Sequence, residues 1–189
     1  MKTLLKSLKI TLTFCVFFSV FYIFVLWLFA KVATPNQGDV EVVTIDGKVV
    51  GAANVGQNFT KEIYFWGRPS KAGDGYNASS SSGSNKGPTN PVYLAEVEAR
   101  INSILAHHPY LTRKDIPAEM VTASGSGLDP DITPASAYMQ VKRVAWARGI
   151  SEVEVKKLVE RTIQKPLFGL FGTERVNVLK LNVALDKLE

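Results

Sequence analysis

The sequence ITLTFCVFFSVFYIFVLWLFA fills residues 10–30 and holds no charged side chain among its 21 residues. At a rise of about 1.5 Å per residue, a helix of this length spans roughly 30 Å, which is the hydrocarbon thickness of a bilayer. A helix also satisfies its own backbone hydrogen bonds in lipid. The stretch therefore predicts a single transmembrane helix.

The charge around this span sets its expected direction. Lys2, Lys6 and Lys9 precede it, and positively charged flanks are retained on the cytoplasmic side. The chain is then expected to be a single-pass protein of the cell inner membrane. The predicted order is a cytoplasmic N-terminus (1–9), a transmembrane helix (10–30), a linker (31–40) and a periplasmic, extracytoplasmic domain (41–189).

A cleaved signal peptide is the alternative interpretation of the same stretch. Signal peptides usually carry an apolar core of about 7–15 residues and small side chains at positions −3 and −1 of the cleavage site. The apolar run here is longer, and cleavage after Ala30 would place Leu28 at position −3. Cleavage after Ala33 would place Lys31 there. The sequence therefore favours a retained anchor in the lipid bilayer.

The outer domain is nearly neutral, although the whole chain carries a formal charge of +5. Four of the 22 Lys and Arg residues flank the span, and all 17 Asp and Glu residues lie beyond it. The domain therefore lacks the basic surface that binding to nucleic acid requires, and nucleic acid is excluded as a partner.

Cysteine and histidine are too few for a metal centre. Cys15 is the one cysteine and lies inside the span, so the outer domain has neither a disulfide nor a thiolate ligand. His107 and His108 are the two histidines. Adjacent helical residues point about 100° apart, so this pair cannot bind one metal ion as an i, i+4 pair would. We expect no metal site and interpret the pair as helix-end residues.

Turn and cap signals predict an α+β fold for the outer domain. Residues 42–50 are predicted to form a hairpin around Asp46-Gly47, a dipeptide typical of two-residue turns. Caps and apolar spacing predict three helices, at 91–107, 134–148 and roughly 152–164. A last strand is predicted at Val176, Val178 and Leu181. The fold class is therefore α+β: one N-terminal transmembrane helix followed by a single extracytoplasmic mixed α/β domain.

Two segments are too rich in Gly, Ser, Asn, Asp and Pro for long regular elements. Residues 64–90, YFWGRPSKAGDGYNASSSSGSNKGPTN, also carry the aromatic residues Tyr64, Phe65, Trp66 and Tyr76. Aromatic side chains are scarce in disordered linkers, so we expect an ordered loop packed on its own rings. Residues 122–134, TASGSGLDPDITP, are expected to form neither a strand nor a helix interior.

Ser124 and Ser126 raise the alternative of a membrane-anchored periplasmic serine hydrolase. Ser126 lies between two glycines, but the GxSxG motif of hydrolases also needs glycine where Ser124 stands. His107 and His108 are the only imidazoles that could act as its base. The motif is incomplete, and a generic anchored binding module is a further alternative.

Two other ligand motifs are also incomplete. A phosphate-binding loop needs Lys and then Ser or Thr after its second glycine, but Gln57 and Asn58 follow Gly56. Asp129 and Asp131 are two apart in a proline-rich turn, whereas a calcium site needs further acidic oxygens at regular spacing. The aspartates are better interpreted as carboxylates that accept hydrogen bonds from their own turn.

An ordered series of short motifs carries more information than any single one. The series consists of Gly56–Phe59, Tyr64–Ser70, Tyr76-Asn77, Ser82–Asn85, Asn90-Pro91, Val121–Asp129, Ile132–Pro134, Gln140-Val141, Arg143–Ala145, Val176–Val178 and Leu185-Asp186. Together with the N-terminal span it closely resembles the C subunits of bacterial Kdp potassium-transporting ATPases, the KdpC family. The resemblance covers nearly the whole chain.

The resemblance implies a non-catalytic subunit of an ATP-driven, high-affinity potassium uptake complex. In that family the subunit joins a channel-like potassium-binding subunit, a P-type ATPase subunit and a small single-span subunit. It is described as a catalytic chaperone that raises the ATP affinity of the ATPase subunit. The implied ligands are therefore indirect: ATP is bound by the ATPase subunit, K⁺ is the transported ion, and neither is expected to bind this chain directly.

Residues of these motifs are expected to contact the partner subunits. Arg68 follows Trp66 and Gly67 and fits an interface anchor, since Arg and Trp are enriched at binding hot spots. An ion pair within the loop is the alternative for this arginine. The residues expected to bind partners are Asn58, Phe59, Tyr64, Phe65, Trp66, Arg68, Asn77, Asn85, Thr122, Ser124, Ser126, Asp129 and Arg143.

The predicted topology separates the domain from cytoplasmic ATP. A domain outside the membrane cannot touch nucleotide on the other side, so any effect on ATP use is expected to be allosteric. We expect the domain to cover the outer mouth of the channel-like subunit. The surfaces expected to make that contact are residues 57–90 and residues 122–134.

Overall fold

The computed structural model describes residues 1–188, which fall into two compact units that divide after Glu41. In the first unit, helix α1 runs over Lys2–Ala33 and includes a π-helical stretch at Phe17–Tyr22. This helix is long and apolar enough to cross a membrane, and its most apolar window buries no residue within the protein. Residues 31–33 of the predicted linker therefore belong to α1. The turn that follows, Pro35–Gly38, has positive φ values at Asn36 and Gln37 and does not continue the helix.

The second unit begins with a β-hairpin, as the sequence predicts. Strand β1 (Val42–Ile45) pairs antiparallel with strand β2 (Lys48–Ala52). Between them Asp46 and Gly47 have φ values of 49° and 77°, the positive values that a two-residue type I′ turn requires. The prediction from the Asp-Gly dipeptide is confirmed.

Three predicted helices are confirmed, and each begins at a polar cap. Their bounds are Pro91–His107 (α2), Pro134–Arg148 (α3) and Glu152–Thr162 (α4). The side chains of Asn90, Thr133 and Ser151 accept hydrogen bonds from backbone N–H groups of the first turns. Helix α3 ends at Gly149, whose φ of 68° suits a residue without a side chain.

The predicted last strand is wrong beyond Asn177. Strand β4 (Val176–Asn177) is only two residues long, and helix α5 starts at once (Val178–Asp186). The reason is local: the Asn177 side chain accepts a hydrogen bond from the Lys180 N–H and caps this helix. Val178 and Leu181, whose apolar spacing predicts a strand, lie instead on the buried face of this helix.

The turn segment 122–134 also differs from its prediction, because it contains strand β3 (Asp131–Ile132). This strand pairs antiparallel with β4. The Val178 N–H donates to the Pro130 carbonyl beside the pair. The proline-rich turn is therefore hydrogen-bonded to residues 176–178. Local turn signals do not predict this long-range pairing.

Helix α3 forms the centre of the hydrophobic core. Its buried face includes Ala137, Val144 and Ala145, which belong to one cluster with buried residues of α4 and α5. The same helix also buries the polar residues Ser136, Gln140 and Arg143. Buried polar side chains are nearly always hydrogen-bonded, and Gln140 and Arg143 find their partners in the loop beside the helix.

Candidate subunit-docking site

The loop that follows the hairpin is held in place by two side-chain amides. Asn182 accepts from the Phe65 N–H at 2.8 Å and donates to the Phe65 carbonyl at 3.0 Å. Gln140 accepts from the Trp66 N–H at 2.7 Å and donates to the Trp66 carbonyl at 3.1 Å. Each amide therefore replaces the hydrogen bonds that a neighbouring strand would make.

Arg143, on helix α3, holds the same loop through hydrogen bonds to its backbone. Its side chain is buried, and its guanidinium donates to the backbone carbonyls of Glu62 and Tyr64, the latter at 3.0 Å. It also donates to Gln140 Oε1 at 2.8 Å and lies 3.9 Å from the centre of the Trp66 ring. Burial lowers the pKa of Arg143 to about 10, so the residue remains a cation at neutral pH.

His108 completes this buried network. Arg143 Nε donates to His108 Nε2 at 3.0 Å, and His108 Nδ1 lies 2.8 Å from the Ile104 carbonyl. A neutral imidazole with its proton on Nδ1 satisfies both contacts. Burial is also the main cause that lowers the pKa of His108 to about 4. His108 is therefore uncharged, and its two hydrogen bonds link the end of α2 to Arg143.

These contacts weigh against a serine hydrolase. Both nitrogens of His108 are engaged as described, and His107 Nδ1 lies 2.8 Å from the Ser103 carbonyl. Ser124 is buried, while Ser126 Oγ accepts from the Leu128 N–H at 3.0 Å. The geometry thus favours a structural role for both serines. Within residues 1–188, no group of three or more His, Cys, Asp or Glu side chains is placed to hold a metal ion.

The aromatic rings of the loop pack on the helices rather than on one another. Trp66 meets His107 and His108 edge-on, with ring centres 5.2 and 5.6 Å apart. Phe65 is fully buried in the core. Tyr64 packs against Phe59, a residue before the loop, with ring centres 5.6 Å apart. The loop is ordered as predicted, but its packing on its own rings is wrong, because α2 and α3 offer larger partners.

The two segments predicted as contact surfaces form one continuous surface. Arg68 pairs with Asp129 at 2.8 Å, so this arginine forms an ion pair with the segment 122–134 and not within its own loop. Ser70 Oγ donates to the Gly127 carbonyl at 2.6 Å, and the Ser82 N–H donates to the Ser126 carbonyl at 3.0 Å. These bonds join residues 68–82 of the first segment to residues 126–129 of the second.

Gly127 lets these two segments approach closely. Its φ is +68°, and a Cβ atom there would lie 2.6 Å from the Ala72 nitrogen and 2.7 Å from the Ser82 carbonyl oxygen. Both distances are shorter than any normal contact. Glycine is therefore required where the two surfaces meet.

A cleft of about 420 Å³ opens beside this junction. We call it the Trp66 cleft; Asn58, Phe59, Trp66, Arg68, Tyr76, Arg100 and His107 are among its lining residues. Four of the thirteen residues expected to bind partners therefore come together here. Burial raises the pKa of Tyr76 to about 12, and its hydroxyl donates to the Arg68 carbonyl at 2.5 Å.

The other expected contact residues have different positions. Asn77 and Asn85 are exposed on the loop. Tyr64 donates to Asp186 at 3.2 Å, and Thr122 donates to the Ala118 carbonyl at 2.8 Å. The side chains of Phe65, Ser124 and Arg143 are buried, so they support the surface from behind.

An exposed apolar hairpin tip near the end of the chain was not predicted from the sequence. Leu167, Phe168, Leu170 and Phe171 are 62–84% exposed. The chain reverses at Phe168 and Gly169, which have φ values of 55° and 72°. The signal is present in the sequence KPLFGLFG, where four large apolar residues surround a glycine.

Comparisons with known proteins agree over nearly the whole chain. The family model for the K⁺-transporting ATPase c chain, KdpC, matches residues 4–187. The potassium-transporting ATPase KdpC subunit of Bacteroides thetaiotaomicron is 75% identical over 187 residues, which cover 99% of each chain. That of Flavobacterium johnsoniae is 52% identical over 189 residues, which cover 100% of each chain. The protein therefore belongs to the KdpC family, the C chains of K⁺-transporting ATPases.

Proposed function

We propose that this chain is a non-catalytic accessory subunit that stabilises a high-affinity, ATP-driven potassium uptake complex in the inner membrane. Helix α1 anchors it with residues 1–9 in the cytoplasm, and the domain from Val42 onward lies outside. The single observation that supports this most strongly is the family match over residues 4–187. The lysines before the apolar span support the orientation.

The proposed partners are the other subunits of the complex. They comprise a channel-like potassium-binding subunit, a P-type ATPase subunit and a small single-span subunit. The joined surface of residues 57–90 and 122–134 is the proposed contact, and it lies over the outer mouth of the channel-like subunit. Arg143, Gln140 and Asn182 hold the backbone of this surface by hydrogen bonds. This supports the surface as the contact, because a preordered surface loses less conformational entropy on binding.

In this proposal the chain affects ATP use only at a distance. K⁺ passes through the channel-like subunit, and ATP is bound and hydrolysed by the ATPase subunit. If the domain binds one conformation of the complex more tightly than another, it shifts the complex towards that conformation. The affinity of the ATPase subunit for ATP then changes by the same coupling free energy.

Co-purification from native membranes tests this function. The tagged full-length chain, extracted in mild detergent, is expected to elute with a channel-like subunit and a P-type ATPase subunit. The eluate is expected to hydrolyse ATP faster when K⁺ is added. A tagged single-span protein of another family provides the control for non-specific capture. A chain that elutes alone and without ATPase activity would contradict the proposal.

A further inference from the structure

Arg68 enters the wall of the Trp66 cleft with unused hydrogen-bond donors. A guanidinium has five N–H groups, and the side chain of Arg68 makes one hydrogen bond within the described residues, to Asp129 at 2.8 Å. Its Nε atom is buried and has no partner within residues 1–188. A ligand in the cleft cannot reach this buried nitrogen, but the Arg68 side chain as a whole remains 23% exposed. A further acceptor therefore meets the N–H groups at the end of the guanidinium.

The surroundings of the cleft carry more positive than negative charge. Glu96 interacts with three cations at once: Lys86 at 2.8 Å, Lys71 at 3.0 Å and Arg100 at 3.2 Å. One carboxylate cannot neutralise three cations. The excess positive charge therefore lies beside the cleft, which Arg100 itself lines.

Part of the remaining wall is apolar and rigid. Phe59, Trp66, Ile104 and Met120 line the cleft. Trp66 is fixed by the hydrogen bond from its ring nitrogen to the Lys61 carbonyl at 3.0 Å and by the stacked guanidinium of Arg143. Such a cleft suits a ligand that combines an anionic group with hydrocarbon. A small inorganic anion would leave the apolar wall without a partner.

We propose that the Trp66 cleft receives the carboxylate of an Asp or Glu side chain from an acidic extracytoplasmic segment of another subunit of the complex. Arg68 and Arg100 bind the carboxylate, and Phe59 and Trp66 cover the apolar part of the same segment. The parallel N–H groups of a guanidinium match the two oxygens of a carboxylate in geometry as well as in charge. The inference rests on the proposed function and names the chemistry that its partner presents.

A photo-crosslinker tests the partner directly. Ser103 is exposed and lines the cleft, so benzoylphenylalanine at this position in the full-length chain should react with whatever occupies the cleft. In the assembled complex we expect a crosslink to a segment of another subunit that contains Asp or Glu. A crosslink to lipid, to this chain alone or to a segment without acidic residues would overturn the inference.

A charge reversal tests the electrostatic contact. Arg100→Glu is expected to lower retention of the subunit in the purified complex about tenfold or more, since like charges at an interface repel. Arg100→Lys is expected to retain most of the binding, which separates the charge from the fold. Arg113→Glu is the matched control, because Arg113 pairs with Glu98 on the surface, outside the cleft.

The outcomes separate this inference from the function on which it rests. If the wild-type chain does not co-purify with ATPase subunits, the proposed function fails. If it co-purifies and Arg100→Glu is retained as well as Arg113→Glu, the function stands and the carboxylate contact is wrong.

Discussion

Replacement of Arg143 by alanine is expected to lower the free energy of unfolding by about 3–5 kcal/mol. The side chain is 2% exposed, and its removal leaves the acceptors of His108, Glu62 and Tyr64 without their donor. Each buried polar group left unpaired costs about 1–3 kcal/mol. Thermal and denaturant unfolding of the full-length chain in detergent measures the effect.

Two variants separate the hydrogen bonds of Arg143 from its packing. Arg143→Met keeps much of the side-chain volume but no donor, so it should be nearly as destabilising as Arg143→Ala. Arg113→Ala removes an exposed arginine that pairs with Glu98, and such surface pairs contribute about 0–1 kcal/mol. Equal stability of the Arg143 and Arg113 variants would show that the buried network is not needed for the fold.

Acidification is expected to destabilise the domain through His108. Burial lowers its pKa to about 4 in the folded chain, from the ordinary histidine value of 6.5. Between these pH values the unfolded chain binds the proton and the folded chain does not, so the free energy of unfolding decreases as the pH falls. This difference between the folded and unfolded pKa lowers the free energy of unfolding by about 3 kcal/mol between pH 7 and pH 4.

Comparison of two histidine variants isolates this contribution from the carboxylates that titrate in the same range. His108→Gln cannot titrate, so the free energy of unfolding that it loses between pH 6.5 and pH 4 should be smaller than the loss of the wild type. His107→Gln, at the exposed neighbouring position, is the matched control for the loss of a histidine side chain. An unchanged slope in His108→Gln would contradict a neutral buried histidine.

Local signals in the sequence predicted most of the elements. The Asp46-Gly47 turn, the Thr133-Pro134 helix start and the Gly149 helix end each depend on backbone preferences within a few residues. The end of the chain was mispredicted, because Val176 and Val178 fit either a strand or the face of a short helix. The capping bond of Asn177 decided between them, and its geometry is not visible in apolar spacing.

The candidate site was predicted in part. The aromatic and polar residues of the loop pointed to residues 57–90, but nothing local indicated that the loop is joined to residues 122–134. That junction depends on contacts between residues far apart in sequence, such as Arg68 with Asp129 and Ser70 with Gly127. The roles of Gln140 and Asn182 were missed for the same reason, since each binds a backbone segment on the other side of the core.

Release of the subunit by changes in the Trp66 cleft tests the central claim most directly. The full-length chain with Trp66→Ala and Arg68→Ala is expected to be lost from the purified complex, with a fall in K⁺-stimulated ATP hydrolysis. Lys114→Ala, an exposed change outside the cleft, should remain bound, and thermal unfolding checks that the double variant is folded. A folded double variant that stays in an intact, fully active complex would contradict the account.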